Sequence, residues 1–217
     1  MGMEMIAKIR RFVISKAGLS PIVIRATGTE SLAVAQVESD GQEMTRAGRR
    51  FFLGRSAAVT GIAPVQAQAT TAAQWSIWNA DSSRSYVFDH LGVVLVSGTA
   101  GAGIFVDAAL YTTPVVTGAS ATGMTVASAS NGGPSSRAIV TSAVTIATPA
   151  APVWYTVAKS DSSNTAVLSV SAINYDLRGR IIVPPGQGLG IVVYSPTNSS
   201  PLFAPTACWS EVELDLE

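Results

Sequence analysis

From Trp75 onward, apolar residues come in short runs closed by Gly, Pro, Asn and Ser, with no helical period. Residues 75–79 alternate Trp75 and Ile77 against Ser76 and Trp78. Asp81-Ser82-Ser83 reads as a turn, and 85–96 as a long, mostly apolar strand ended by Ser97-Gly98. Residues 104–111 place Ile104, Val106, Ala108 and Leu110 on one side. Residues 124–129 and 138–146 flank the turn Asn131-Gly132-Gly133-Pro134, and 153–157 and 167–173 flank Asp161-Ser162-Ser163-Asn164. Residues 181–183 and 189–194 flank Pro184-Pro185-Gly186-Gln187-Gly188. Pro185-Gly186 suits the centre of a type II turn, and the apolar runs beside it make this the clearest hairpin of the chain. Residues 209–216 alternate Trp209, Glu211, Glu213 and Asp215 against Val212, Leu214 and Leu216. Eight or nine strands at even spacing, without a helix after residue 60 or an internal repeat, predict an all-β sandwich or barrel.

The first sixty residues read differently. Met5, Ile6, Ile9, Phe12 and Val13 fit one face of a short helix over 3–16, while Phe12, Val13 and Ile14 equally fit a strand over 11–15. Residues 22–25 and 32–37 look like strands around Thr27-Gly28-Thr29. Residues 38–50 are polar, with Asp40-Gly41 as a turn. Residues 1–60 are therefore expected to form an N-terminal arm or small subdomain, and 61–217 the β-sandwich domain.

Charge changes the picture. Only 13% of the 217 residues are charged, about half the usual share, and the formal net charge is zero. From 108 to 158 a single charged side chain, Arg137, occurs in fifty-one residues. A free monomer needs charged surface to stay unassociated. Such a stretch is membrane, disordered, or packed against another subunit. Ser, Thr, Gly and Pro interrupt it every few positions, which excludes a membrane helix. Disorder fits parts of 117–133 at most, given the strand signals on either side. Packing against other subunits remains, and 124–129 and 138–146 are expected to lose exposure on assembly. The other charges are uneven. Residues 1–55 hold nine Lys/Arg against five acids, and 56–217 five against nine. A basic N-terminal part can contact nucleic acid or a neighbour's acidic surface. The one cysteine, Cys208, precludes an intrachain disulfide and suits folding in a reducing cytosol. Lys8, Arg10 and Arg11 lie within the apolar N-terminal stretch rather than ahead of it, the wrong order for a secretory signal.

Candidate chemistry is sparse. His90 is the sole histidine, and strand alternation puts its neighbour Asp89 on the opposite face, so the two are not expected to orient one another. Cys208 lacks a second cysteine or histidine set for zinc and reads as a small core residue. Asp81, Asp89, Asp107, Asp161 and Asp176 are isolated and form no paired-carboxylate or calcium-loop pattern. Residues 98–103 are Gly-rich but lack the lysine and following helix of a phosphate cradle. Asn198-Ser199-Ser200 is a glycosylation pattern that matters only on a secretory route. Arg46, Arg49, Arg50 and Arg55 surround Phe51-Phe52, a modest basic and aromatic group for which a subunit contact is the stronger reading than nucleic acid. Trp75, Trp78, Trp154 and Trp209 each sit in a strand pattern and are expected in cores rather than on sugars. No catalytic, cofactor-binding or metal-ligating residue is assigned.

Residues 75–79, then 85–98, then Arg180-Ile181-Ile182-Val183-Pro184-Pro185-Gly186-Gln187-Gly188-Leu189-Gly190, then the acidic last strand resemble jelly-roll proteins of tailed-phage virions. The Pro-Pro-Gly-x-Gly-Leu-Gly segment is similar to the penultimate hairpin of trimeric capsid-decoration (cement) and fibre-head domains. The resemblance covers about residues 70–217, and 1–60 match no such pattern. It implies a jelly-roll-like sandwich made in the host cytoplasm, trimerising and seated on the virion surface against the major capsid protein or other virion subunits. A receptor-binding fibre or tail-tip domain is the alternative. It expects the loops 81–84, 131–136 and 161–164 to gather at one tip. A carbohydrate-binding or hydrolytic β-sandwich would instead require His90 or paired acids to converge in a cleft.

Overall fold

The structure is a computed structural model that describes residues 12–14, 22–26, 32–36, 40–56, 59–98, 103–112, 117–130, 132–146, 152–160, 172–196 and 200–214. Contacts divide the chain into two units, 1–47 and 48–217. The first holds strands β1 (Phe12–Ile14), β2 (Ile22–Ala26) and β3 (Leu32–Gln36) in an antiparallel sheet of order β1-β2-β3. Of the two readings for the N-terminal stretch, Phe12–Ile14 takes the strand; the rest of 3–16 lies outside the described residues. The helix α1 (Asp40–Arg46) replaces the turn expected at Asp40-Gly41. Gln42, Glu43, Met44 and Arg46 are good helix formers, with acids early and Arg46 in the last turn, which suits the helix dipole.

The second unit is a β-sandwich. Its strands are β4 (Arg50–Arg55), β5 (Ala72–Asn79), β6 (Ser85–Ser97), β7 (Ile104–Tyr111), β8 (Thr117–Ser120), β9 (Met124–Ser128), β10 (Ala138–Thr145), β11 (Tyr155–Ser160), β12 (Ala172–Val183), β13 (Gly188–Tyr194) and β14 (Leu202–Val212). One sheet has the order β11-β7-β13-β5-β10-β8 and the other β12-β6-β14-β4-β9, and their strand pairs are antiparallel. The β5–β6 pair runs beside the β13–β12 pair in the facing sheets. Because β4 pairs with β14 and β9, the body begins by residue 48 rather than 61. Phe51 and Leu53, both buried, draw this strand into the core.

Between the sheets, Trp209 packs with Phe51, Tyr86 and Phe88 at ring distances of 6.3, 5.8 and 5.7 Å. Trp75, Ile77, Leu91, Leu189 and Ile191 complete this core. A second cluster lies on the other face of the six-stranded sheet, where Ala73, Ala109, Tyr111, Val144, Ile146 and Val192 are buried under Val65, Ala69, Trp78 and Trp154. The chain from Val65 to Thr71 straps this face, after Ile62 has paired with β14 of the other sheet. Ile62 exchanges backbone bonds with Phe203, Val65 bonds to Val193 and Ser195, and Thr71 accepts from Ile146. The strap explains why both faces of β7 are buried at Val106 and Ala109, although Leu110, assigned to the inner row, is 41% exposed.

The connection expected as a hairpin, from β12 to β13, instead crosses between sheets, as does that from β9 to β10. Strand β9 pairs with β4 whereas β10 pairs with β5 and β8. Likewise β12 pairs with β6, and β13 with β5 and β7. The turn chemistry at Pro184–Gln187 is as expected, with Gln187 N–H donating to Pro184 C=O (3.2 Å) and Gly186 at φ +70°. Asn79, wholly buried at the end of β5, anchors this crossing. Its Nδ2 donates to Arg84 C=O (2.8 Å) and Val183 C=O (2.9 Å), and its Oδ1 accepts from Asp81 N–H (2.9 Å). Its backbone exchanges bonds with Gly186 and Gln187.

Candidate functional site

Four places in the sandwich gather polar or exposed side chains. The first is a row across the outer face of the five-stranded sheet. In the ladder Cys208 faces His90, and His90 faces Asp176 on its other side. Directly opposed residues share a face, so these three lie in line. Cys208 is therefore not a core residue: its neighbours Ala207 and Trp209 point inward, while it is half-buried on the outside. Arg50 Nε donates to Cys208 Sγ at 3.3 Å, and the same guanidinium lies 3.5 Å from the Asp89 carboxylate. Strict alternation fails at Asp89 because the ladder shifts there, from Cys208↔His90 to Trp209↔Phe88. A β-bulge re-aims a side chain. Asp89 thus shares an arginine with the thiol opposite His90 rather than facing away. Asp176 is held below the usual carboxylate range by a 2.9 Å hydrogen bond from Arg178.

The second place is one end of the sandwich. Asp81 Oδ1 accepts from the N–H groups of Ser83 (2.8 Å) and Arg84 (3.0 Å) and from the Ser83 hydroxyl. Burial pushes this carboxyl up, but these bonds and the charge of Arg137 outweigh it and hold it below its ordinary value. Glu211, 2% exposed, accepts from the Ser136 hydroxyl at 2.5 Å. Burial pushes Glu211 up, and the hydrogen bond from Ser136 opposes that only in part. Burial also raises the neighbouring Tyr86 hydroxyl, with the charge of Glu211 adding to the effect. The strand alternation around Trp209 placed Glu211 beside it, and the register buries both. The loops 81–84 and 132–137 thus meet at this end, while 161–164 lies outside the described residues.

The third is a groove of about 880 Å³ where the edge strands β11 and β12 face each other. Leu110, Tyr155 and Tyr175, exposed by 41, 37 and 40%, converge on it over Leu177, with Lys159 and Arg180 among its lining. Burial pushes the Tyr155 hydroxyl up to about 12. No acid is among the described lining residues. Sequence reading did not single out this groove, because Leu110, Tyr155 and Arg180 meet only through the sheet pairing. The fourth place is the opposite side, where β8 and β9 form the outer edges of their sheets without a charged side chain.

The other expected residues are dispersed. Asp107 is buried and accepts from Thr156 Oγ1 at 2.8 Å. Phe51 is in the core and Phe52 is 40% exposed, so the arginines around them do not frame an aromatic pair. Trp75 and Trp209 are in the main core, and Trp78 and Trp154 pack on the second cluster, with Trp154 Nε1 donating to Thr70 C=O at 2.9 Å. His90 does not line the groove. Among the described residues, no three of His, Cys, Asp and Glu form a metal cage. Residues 99–102, Asp161, Asn198 and Ser199 lie outside the described residues. No protein-family model matches the chain, and no curated protein or solved structure matches it significantly.

Proposed function

We propose that this chain is a non-enzymatic virion structural protein, a capsid decoration (cement) subunit that trimerises and stabilises the head shell of a tailed phage. The observation that carries the reading is the pair of uncharged edge strands, β8 and β9. Free strand edges invite pairing with other chains, and monomeric proteins guard them with charge or proline. Here β8 and β9 have neither. They lie within the fifty-one residues whose one charge is Arg137. On the neighbouring β10, Ile139 is 51% exposed. An obligate interface is poor in charge at its centre, so edges of this kind are expected to be covered by another subunit. The work is mechanical: each copy adds contact area between capsomers, and many weak contacts sum over the shell.

A second reading, a receptor-binding fibre or tail-tip domain, draws on the meeting of the 81–84 and 132–137 loops at one end. Electron microscopy of particles carrying the protein separates the two. Density for the sandwich repeated over the capsid surface supports decoration. Density at the tail or fibre tip supports the second reading, and its absence from the particle contradicts both.

A further inference from the structure

The groove between β11 and β12 is built to hold an extended chain. It lies between the terminal strands of the two sheets, and terminal strands accept an added strand through their free backbone groups. Its lining is mainly apolar, its described charges are Lys159 and Arg180, and three of the large exposed hydrophobic side chains gather there. The complementary sequence is in this chain. Leu214-Asp215-Leu216-Glu217 alternates leucine with acid. An extended strand puts both leucines on one side and both acids on the other. Leucines set on Leu110, Tyr155 and Tyr175 leave the acids to meet the two cations.

We propose that this groove binds the segment 214–217 of a second copy of the chain, an inference that rests on the assembly reading above. Strand β14 ends with Val212 paired to Ser85, and Glu213 lies 3.8 Å from Arg84 just beyond that pair. The occupant is assigned to a neighbouring copy because the assembly reading already has one subunit cover another's charge-poor surface.

The test is the solution mass of the full chain by light scattering across a dilution series. Thermal melting of every variant confirms folding. The variants are Leu214→Ser with Leu216→Ser, Lys159→Glu with Arg180→Glu, and the latter combined with Asp215→Lys and Glu217→Lys. The first two are expected to weaken association by about tenfold or more, and the charge exchange to restore it. A wild-type oligomer that the first two variants leave unchanged, or an exchange that restores nothing, overturns the groove inference and leaves the assembly reading standing. A Lys159→Cys, Glu217→Cys pair that cross-links only within one chain also overturns it. A monomeric wild type overturns the assembly reading itself.

Discussion

Replacing Asn79 by alanine should cost the sandwich much of its stability. The side chain is wholly buried and makes three hydrogen bonds, to Arg84 C=O, Val183 C=O and Asp81 N–H, all between 2.8 and 2.9 Å. Alanine leaves two carbonyls and one N–H without their partner at a site closed to water. Each buried group left unsatisfied costs about 1–3 kcal/mol, and local relaxation recovers part, so a loss of about 3 kcal/mol is expected. For a domain of this size that lowers the melting temperature by roughly 6–12 °C. Aspartate sharpens the test. It keeps an acceptor for Asp81 N–H but turns a carboxylate oxygen toward two carbonyls, so Asn79→Asp should be worse than alanine at neutral pH. Calorimetric melting of the three proteins, with urea midpoints as a second measure, reads the effect. A loss under about 1 kcal/mol for alanine, or an aspartate variant as stable as wild type, would refute the claim that Asn79 staples the β5 end to the β12–β13 crossing.

Further expectations concern other positions. Burial raises Glu211 above its unfolded value, so its stabilising contribution is complete below the unfolded pKa and is lost as pH rises toward the folded one. Glu211→Gln, which keeps an acceptor for Ser136, should therefore melt higher than wild type at pH 7 and equally at about pH 3, below the ordinary glutamate pKa; a uniform loss at both would contradict this. A Cβ at Gly188 would meet the Tyr111 ring, so Gly188→Ala should cost about 1–3 kcal/mol, with part recovered by Tyr111→Leu in the same chain. Urea titrations of the single and double variants measure that coupling, and independent effects would count against the contact. His90→Ala should leave both solution mass and melting within about 0.5 kcal/mol of wild type, since the ring sits half-buried on an outer sheet face. Loss of assembly in a folded His90 variant would give the Cys208–His90–Asp176 row a role in the interface.

What the chain states locally, it states well. Strand β7 spans the predicted 104–111, and the turn at Pro185-Gly186 has the geometry its residues require. What depends on distant partners is not visible in the pattern. A Pro-Gly turn reverses the chain but does not say which sheet receives the next strand; at Gly186 that choice rests on Asn79, more than a hundred residues earlier. Ladder shifts are equally hidden, so the bulge at Asp89 could not be read from alternation. At α1, polar composition looked like a loop, and helix propensity with favourable end charges prevailed. The groove combines residues from β7, β11 and β12 and becomes a unit only once those strands are placed. The uncharged run was legible as a sequence feature; its position along the β8 and β9 edges was not.

Whether the chain assembles in solution is the most direct question. Sedimentation equilibrium at micromolar concentration and physiological salt measures this on the unmodified protein. A closed oligomer of about 67 kDa, three times the 22.4 kDa chain, is the predicted result. A single 22.4 kDa species that stays soluble throughout the range would contradict it, because the uncharged β8 and β9 edges would then be left without a partner subunit.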